Sequence, residues 1–371
     1  LPAGPARGQE RGGAMTERIE KLRARLAAAG ADALFSLSAP ANQYLSGFTG
    51  STSALVITPG EALFLCDFRY TEQAEGQVAG FDIEEVTGSL PARTGERLAH
   101  VNAGTAVYDP GVLSVAELHE IQAAFAGTLT PDPDIVSALR RIKSPEEIAA
   151  IRRASSLAEG VLADLLEELD TGLPERELAA RFEYEFKRRG ASGASFDPIA
   201  LFGPRSSLPH GAPGGTPLQP GDVVLLDIGC RLDGYCSDLT RTYAFGTIPR
   251  LWFEGAYELV LTAQRIALEA VRPGIPAREL DAIARDLIED AGHGKHFGHG
   301  LGHGVGIEIH EAPRLNRESD TILEPGMVIT IEPGIYLPGK GGIRIEDLVA
   351  VTEDGCDILS AASKELRVID V

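Results

Sequence analysis

Apolar positions recur along this chain in two rhythms, and a change of rhythm near residue 142 divides it. From Thr16 to about Ala29, TERIEKLRARLAAAG spaces its apolar residues as an amphipathic helix does, behind a threonine cap and before a glycine stop. ADALFSLS, SALVIT and EALFLCDFRY then read as short strands between Pro/Gly turns, followed by a helix from Thr71 to about Val78, AVYDP, and a helical SVAELHEIQAAF. This alternation predicts a small α/β domain over 15–141. The first fourteen residues, LPAGPARGQERGGA, lack an apolar signal region and are expected to be a disordered leader or a remnant outside the fold.

Beyond the boundary the pattern becomes mostly helical. Ser144-Pro145-Glu146-Glu147 is a helix start with proline just inside and acids in the first turn, and the helix should run to about Leu169. A second helix follows Gly172-Leu173-Pro174, and another pair covers Trp252–Arg272 and Pro276–Ala291. Strand candidates lie at 223–229, 235–245, 305–310, 327–332 and 343–351. The expectation for 142–371 is an α+β domain of helices on a largely antiparallel sheet. Its repeated order of helix pair and hairpin hints at an internal duplication.

The strand pattern is broken by acids. In VVLLDIGCRLDGYCSDLTRT, Asp227 sits among Val223–Leu226 and Ile228, and Asp238 follows across the turn Arg231-Leu232-Asp233-Gly234. Glu332 ends the apolar run MVITIEPG, and Glu346 lies inside GIRIEDLVAV. An ionised carboxylate in an apolar strand is costly unless it is neutralised or given a cation. Taken singly, each acid suits a turn, a cap or a salt bridge to Arg344 or Arg241. Four together shift the balance towards a cation site.

Five of the eight histidines lie in HGKHFGHGLGHGVGIEIH, residues 293–310. If its middle is extended, His299 and His303 share a face. Alone this would be a surface loop that binds metal adventitiously; beside the acids it supplies the nitrogen of a centre. One imidazole with several carboxylates suits Mn²⁺, Co²⁺ or Zn²⁺. Four ionised carboxylates balance two divalent ions, which at ~3.5–4 Å separation lower the pKa of a shared water towards neutrality.

Bulk composition narrows the partners. Thirty-four basic against 54 acidic residues give a formal charge of −20, which argues against nucleic acid or an anionic membrane as partner. No apolar run approaches a membrane span. The four cysteines show no CxxC spacing, so a cytoplasmic setting is expected.

Asp227 and Asp238, His303 in HGLGHGVGIEIHE, Glu332 in ITIEPGIY and Glu346 in GIRIEDLVAV resemble the five-ligand site of the pita-bread metallopeptidases. Within them the resemblance is to the proline-specific branch of aminopeptidase P and prolidase. NQYLSGFTGSTSALVIT and CDFRY are similar to the creatinase-like N-terminal domain of that branch. The resemblance implies a pita-bread domain over 142–371 and two divalent ions, manganese first and cobalt or zinc as alternatives. It implies that Asp227 chelates one ion, Asp238 and Glu346 bridge both, and His303 and Glu332 complete the other. Glu332 would be the proton shuttle, and His210 (in SLPHGAP) and His310 would hold the scissile carbonyl. His299 would line the proline-side pocket, with Arg344 and Tyr336 orienting ligands. A homodimer is also implied.

The expected reaction is cleavage between an N-terminal residue and proline, with aminopeptidase P activity on oligopeptides placed ahead of an Xaa-Pro dipeptidase. A non-catalytic pita-bread binding protein ranks behind both. A methionine aminopeptidase fits less well because of the N-terminal domain. GIYLPGKG fails as a phosphate loop: glycine stands where Ser/Thr should follow the lysine, and a strand rather than a helix comes next.

Overall fold

The computed structural model describes residues 6–249 and 251–371, and the chain divides after Arg140 into two compact units. The first helix runs Ala6–Ala28, so residues 6–14 of the expected leader are helical; residues 1–5 lie outside the described residues. Ala, Arg, Gln and Glu favour helix. Gly8, Gly12 and Gly13 oppose it by about 1 kcal/mol each, so the extension propagates from the segment carrying buried Ile19, Leu22 and Leu26.

The first unit is built on a six-stranded mixed sheet, in the order 82–85, 62–66, 54–57, 33–36, 105–108, 128–131. Its inner strands Ala33–Ser36 and Ala54–Ile57 are buried throughout. The two edge strands, DIEE and TLTP, carry no apolar alternation, which is why sequence patterning passes over them. Pro131 is tolerated at such an edge.

The second unit opens at Ser144, whose hydroxyl accepts the Glu147 amide while the Glu147 carboxylate accepts the Ser144 amide, a reciprocal cap with Pro145 at the first position. Two successive halves then repeat one layout. Helices Pro145–Leu166 and Glu175–Arg188 precede the strands from Ile199 to Phe245; helices Leu251–Ala270 and Ala277–Asp290 precede those from Gly302 to Val351. The start of the second helix in each half is satisfied alike. Glu175 and Arg176 donate their amides to Thr216 and Gly214 carbonyls; Ala277 and Arg278 donate theirs to Thr321 and Ser319. This shared layout is the structural form of the duplication.

Each half contains a long hairpin that changes sheets midway. Val223–Ile228 pairs with Leu239–Phe245, Asp227 opposite Thr240. Cys230–Leu232 then pairs with Tyr235–Cys236 across Asp233-Gly234, both of positive φ. Val328–Ile331 pairs with Asp347–Val351, and Gly334–Leu337 with Gly341–Arg344. The expected continuous strands 235–245 and 343–351 are therefore interrupted, at Ser237-Asp238 and Ile345-Glu346. The strand expected to end at Glu332 stops at Ile331. At these breaks the backbone bonds elsewhere: Glu346 donates to the Thr240 carbonyl (3.2 Å) and Glu332 to that of Leu301 (2.8 Å).

Residues 305–310 do not form the expected strand. They bend, with the Glu308 amide held by Glu311 Oε1 at 3.1 Å and Gly306 accepting from the Cys236 amide. Inside the bend sits the Glu311 carboxylate, paired with the nearly inaccessible Lys143 at 3.0 Å. The strand lies earlier, at Gly302–Gly304, against Glu311–Leu315.

Candidate metal centre

The sheet switches bring the acids and the glycine-rich segment together. His303 Nε2 lies 3.5 Å from Asp238 Oδ2 and 3.4 Å from Glu332 Oε1. One ligating atom each from Asp238, His303 and Glu346 falls within 4.8 Å of the others. Asp227 joins through Arg344, whose Nη2 donates to its Oδ2 at 2.5 Å. The same guanidinium donates to the Tyr336 hydroxyl at 2.7 Å and to Thr240 Oγ1 at 3.0 Å. Thr240 in turn donates to Glu346 Oε2 at 2.8 Å, and Thr330 donates to Glu332 Oε1 at 3.1 Å. Every acid is thus oriented by a fixed neighbour or faces the imidazole.

The charge on the protein side does not close. Burial pushes Asp238 and Glu346 well above the usual carboxylate range, and the neighbouring acids add to it. Burial raises Glu332 to about 7, with Arg344 working in the opposite direction. Asp347, adjacent to Glu346, provides the contrast. Burial works to raise it too, but Arg241 and Lys364 outweigh that and hold it below the usual range. Its oxygens also accept from Gln264 and Ser360. Asp347 is a structural acid. By comparison, Asp227 Oδ1 and Glu346 Oε1 are buried with no hydrogen-bond partner among the described residues.

These orphaned oxygens and upward-shifted acids fit a site for cations. The imidazole fits too. His303 Nδ1 faces the Gly304 carbonyl at 3.1 Å, leaving Nε2 towards the acids. Burial lowers its pKa to about 4, so the ring is neutral and able to ligate. Four carboxylates and one neutral imidazole fit divalent ions of the Mn²⁺/Co²⁺/Zn²⁺ type.

The remaining expected site residues surround this group. His299 Nε2 meets the Tyr336 hydroxyl at 2.9 Å, and burial followed by Arg344 takes its pKa to about 3. Tyr336 is pushed up to about 12 by burial. The exposed His310 ring stands edge-on to His303, centroids 4.4 Å apart. His210 is exposed on the loop after the short helix Gly203–Ser207 and acts electrostatically on His299 and His310.

Three residues escaped the sequence reading. Thr240 and Thr330 each lie two positions from an acid, so in extended backbone they share its face, and that spacing was the available signal. Arg314 had none. It is the cross-strand partner of His303, exposed, and its charge lowers the pKa of both His303 and His310.

Gly302 shows why glycine precedes the ligand histidine. A Cβ there would meet the Thr330 carbonyl oxygen at 2.1 Å. Gly302→Ala is therefore expected to destabilise the protein by about 1–3 kcal/mol through overpacking, measured as a lowered melting temperature; an unchanged melt would mean the strand can shift freely.

Both units of the chain match known families. Residues 149–353 match Metallopeptidase family M24, and residues 18–142 match the Creatinase/Prolidase N-terminal domain. An Xaa-Pro dipeptidase from Pyrococcus furiosus is 47% identical over 233 residues, 63% of this chain and 67% of that protein. The structure of an Xaa-Pro dipeptidase from Bacillus anthracis superposes with a TM-score of 0.92 at 37% identity, covering 95% of this chain and 99% of that one. An X-Pro aminopeptidase from Thermotoga maritima gives 0.87 at 34% identity, covering 95% and 100%.

Proposed function

We propose, for a chain that belongs to metallopeptidase family M24, that it is an Xaa-Pro dipeptidase. It is a hydrolase of that family. The sequence alone leaned towards aminopeptidase P; the comparisons favour the dipeptidase alternative, although the Thermotoga aminopeptidase is also similar. The observation that carries the choice is Arg314. It makes no hydrogen bond or ion pair among the described residues and shares a strand face with His303. A dipeptide ends in a carboxylate one residue beyond the scissile bond, and an exposed guanidinium beside the centre is suited to receive it. An oligopeptide presents no charge there.

Asp227, Asp238, His303, Glu332 and Glu346 would hold two divalent ions, whose positive charge would polarise a carbonyl and activate water at neutral pH. The protein's own groups do the rest. Glu332 takes a proton from the attacking water and delivers it to the proline nitrogen as the C–N bond breaks. His210 and His310 donate to the oxygen that gains negative charge as the carbonyl becomes tetrahedral. His299, fixed by Tyr336, lines the proline side. None of these contacts requires the N–H that an Xaa-Pro bond lacks. Manganese as the working ion, a homodimer and a cytoplasmic setting belong to the same proposal. The four cysteines are free, which suits a reducing compartment. No helix among the described residues is long and apolar enough to cross a membrane.

The test compares an Xaa-Pro dipeptide with Xaa-Pro-Yaa. Turnover should be confined largely to the dipeptide, and Arg314→Met should raise its KM by about 10–100-fold, the loss of one charge-assisted contact. Preferential turnover of the tripeptide by the wild-type protein would return the assignment to aminopeptidase P.

A further inference from the structure

We propose that the buried ion pair Asp281–Arg285 is a positioning device for the metal centre, setting the backbone of residues 297–301 and, through it, His303 and Glu332. The proposal deepens the dipeptidase reading and rests on its metal centre. Both residues lie on the helix Ala277–Asp290, with side chains 0% and 7% exposed. They face each other in a bidentate pair, Nε to Oδ2 and Nη2 to Oδ1, both 2.7 Å. An exposed pair at this helical spacing would add little. This one directs its remaining hydrogen-bonding groups away from its own helix.

Arg285 Nη1 donates to the Phe297 carbonyl at 3.0 Å and Nη2 to the His299 carbonyl at 2.7 Å. Its guanidinium lies 4.2 Å from the Phe297 ring centroid. Asp281 Oδ1 accepts the Leu301 amide at 2.9 Å, and the Leu301 carbonyl accepts the Glu332 amide at 2.8 Å. Alternate residues 297, 299 and 301 are thereby fixed, and Thr330 Oγ1 continues the series by accepting the His303 amide at 3.1 Å.

The segment needs such anchors because of what separates them. Residues 298, 300, 302 and 304 are all glycine, so side-chain packing can order only every second residue and the backbone entropy to be overcome is large. A planar guanidinium can hold two carbonyls and a carboxylate at once; an ammonium cannot reproduce that fork.

Arg285→Lys keeps the charge and loses the fork. It should weaken Co²⁺ binding, followed by visible absorption at 25 °C, by about 10–100-fold, the range for groups that orient metal ligands. Circular dichroism should show the variant folded at that temperature. Arg265→Ala, which removes the exposed pair with Glu365, should leave affinity unchanged. In the wild-type protein the Leu301 amide should exchange its hydrogen more slowly than the Gly298 amide, a readout that survives if the variant does not fold. Folded Arg285→Lys with wild-type Co²⁺ affinity, or a rapidly exchanging Leu301 amide, overturns the clamp alone. A wild-type protein that binds no Co²⁺ removes both the metal-centre reading and the clamp.

Discussion

Glu332→Gln is expected to cut turnover of an Xaa-Pro dipeptide by about 10²–10⁴-fold, the contribution of a positioned proton-transfer group. The amide oxygen can still accept from Thr330, so the side chain keeps its place. What is lost is the ability to take a proton at one moment and release it at the next, together with one negative charge at the centre. Steady-state rates with a parallel thermal melt separate chemistry from folding. A folded variant with near-normal turnover would assign the proton transfer elsewhere.

The second large effect concerns pH and metal together. In the metal-free protein Asp238 and Glu346 are raised well above the carboxylate range and Glu332 to about 7. Around pH 7 the folded state therefore retains part of the Glu332 proton that the unfolded state has released, and the upward shifts of Asp238 and Glu346 act in the same direction. Stability then falls as pH rises, by about 1.4 kcal/mol per pH unit for each such proton. The window is chosen by the other groups. Below about pH 6.5 the neutral buried His299 and His303 act in the opposite sense, because the unfolded state gains protons there. Above about pH 8 the buried thiols begin to contribute, since burial raises Cys230 to about 11. Divalent ions should displace the carboxyl protons and flatten the slope. Urea melts of chelated and metal-loaded protein at pH 7 and 8 measure the first effect. Titration calorimetry in two buffers of different ionisation enthalpy measures the proton release. A flat profile without metal, and no proton release on loading, would contradict the electrostatic account.

Much of this centre could be read from residue types alone because it breaks the strongest rule in the sequence. A strand otherwise made of valine, leucine and isoleucine announces an intruding aspartate, and this happens at Asp227 and Glu346. The details that remained hidden depend on pairing. Asp238, Glu332 and Glu346 sit where the hairpins change sheets, and no local pattern marks the point at which a backbone leaves its ladder. Residues 305–310 look extended by composition, yet the buried Glu311–Lys143 pair bends the chain around itself. Arg314 becomes informative only once its cross-strand partner is known. Asp281 and Arg285 did leave a trace: Ala277, Leu280, Ala284 and Ile288 mark the buried stripe of their helix, and both charged residues fall within it. A charge on an apolar face was as informative on this helix as on the strands.

The most direct measurement is anomalous scattering from crystals of the protein loaded with Mn²⁺. Two peaks are expected, enclosed by Asp227, Asp238, His303, Glu332 and Glu346, with Asp238 and Glu346 reaching both. No ordered ion among these side chains in a fully loaded crystal, or Mn²⁺ bound only elsewhere, would contradict the account at its base.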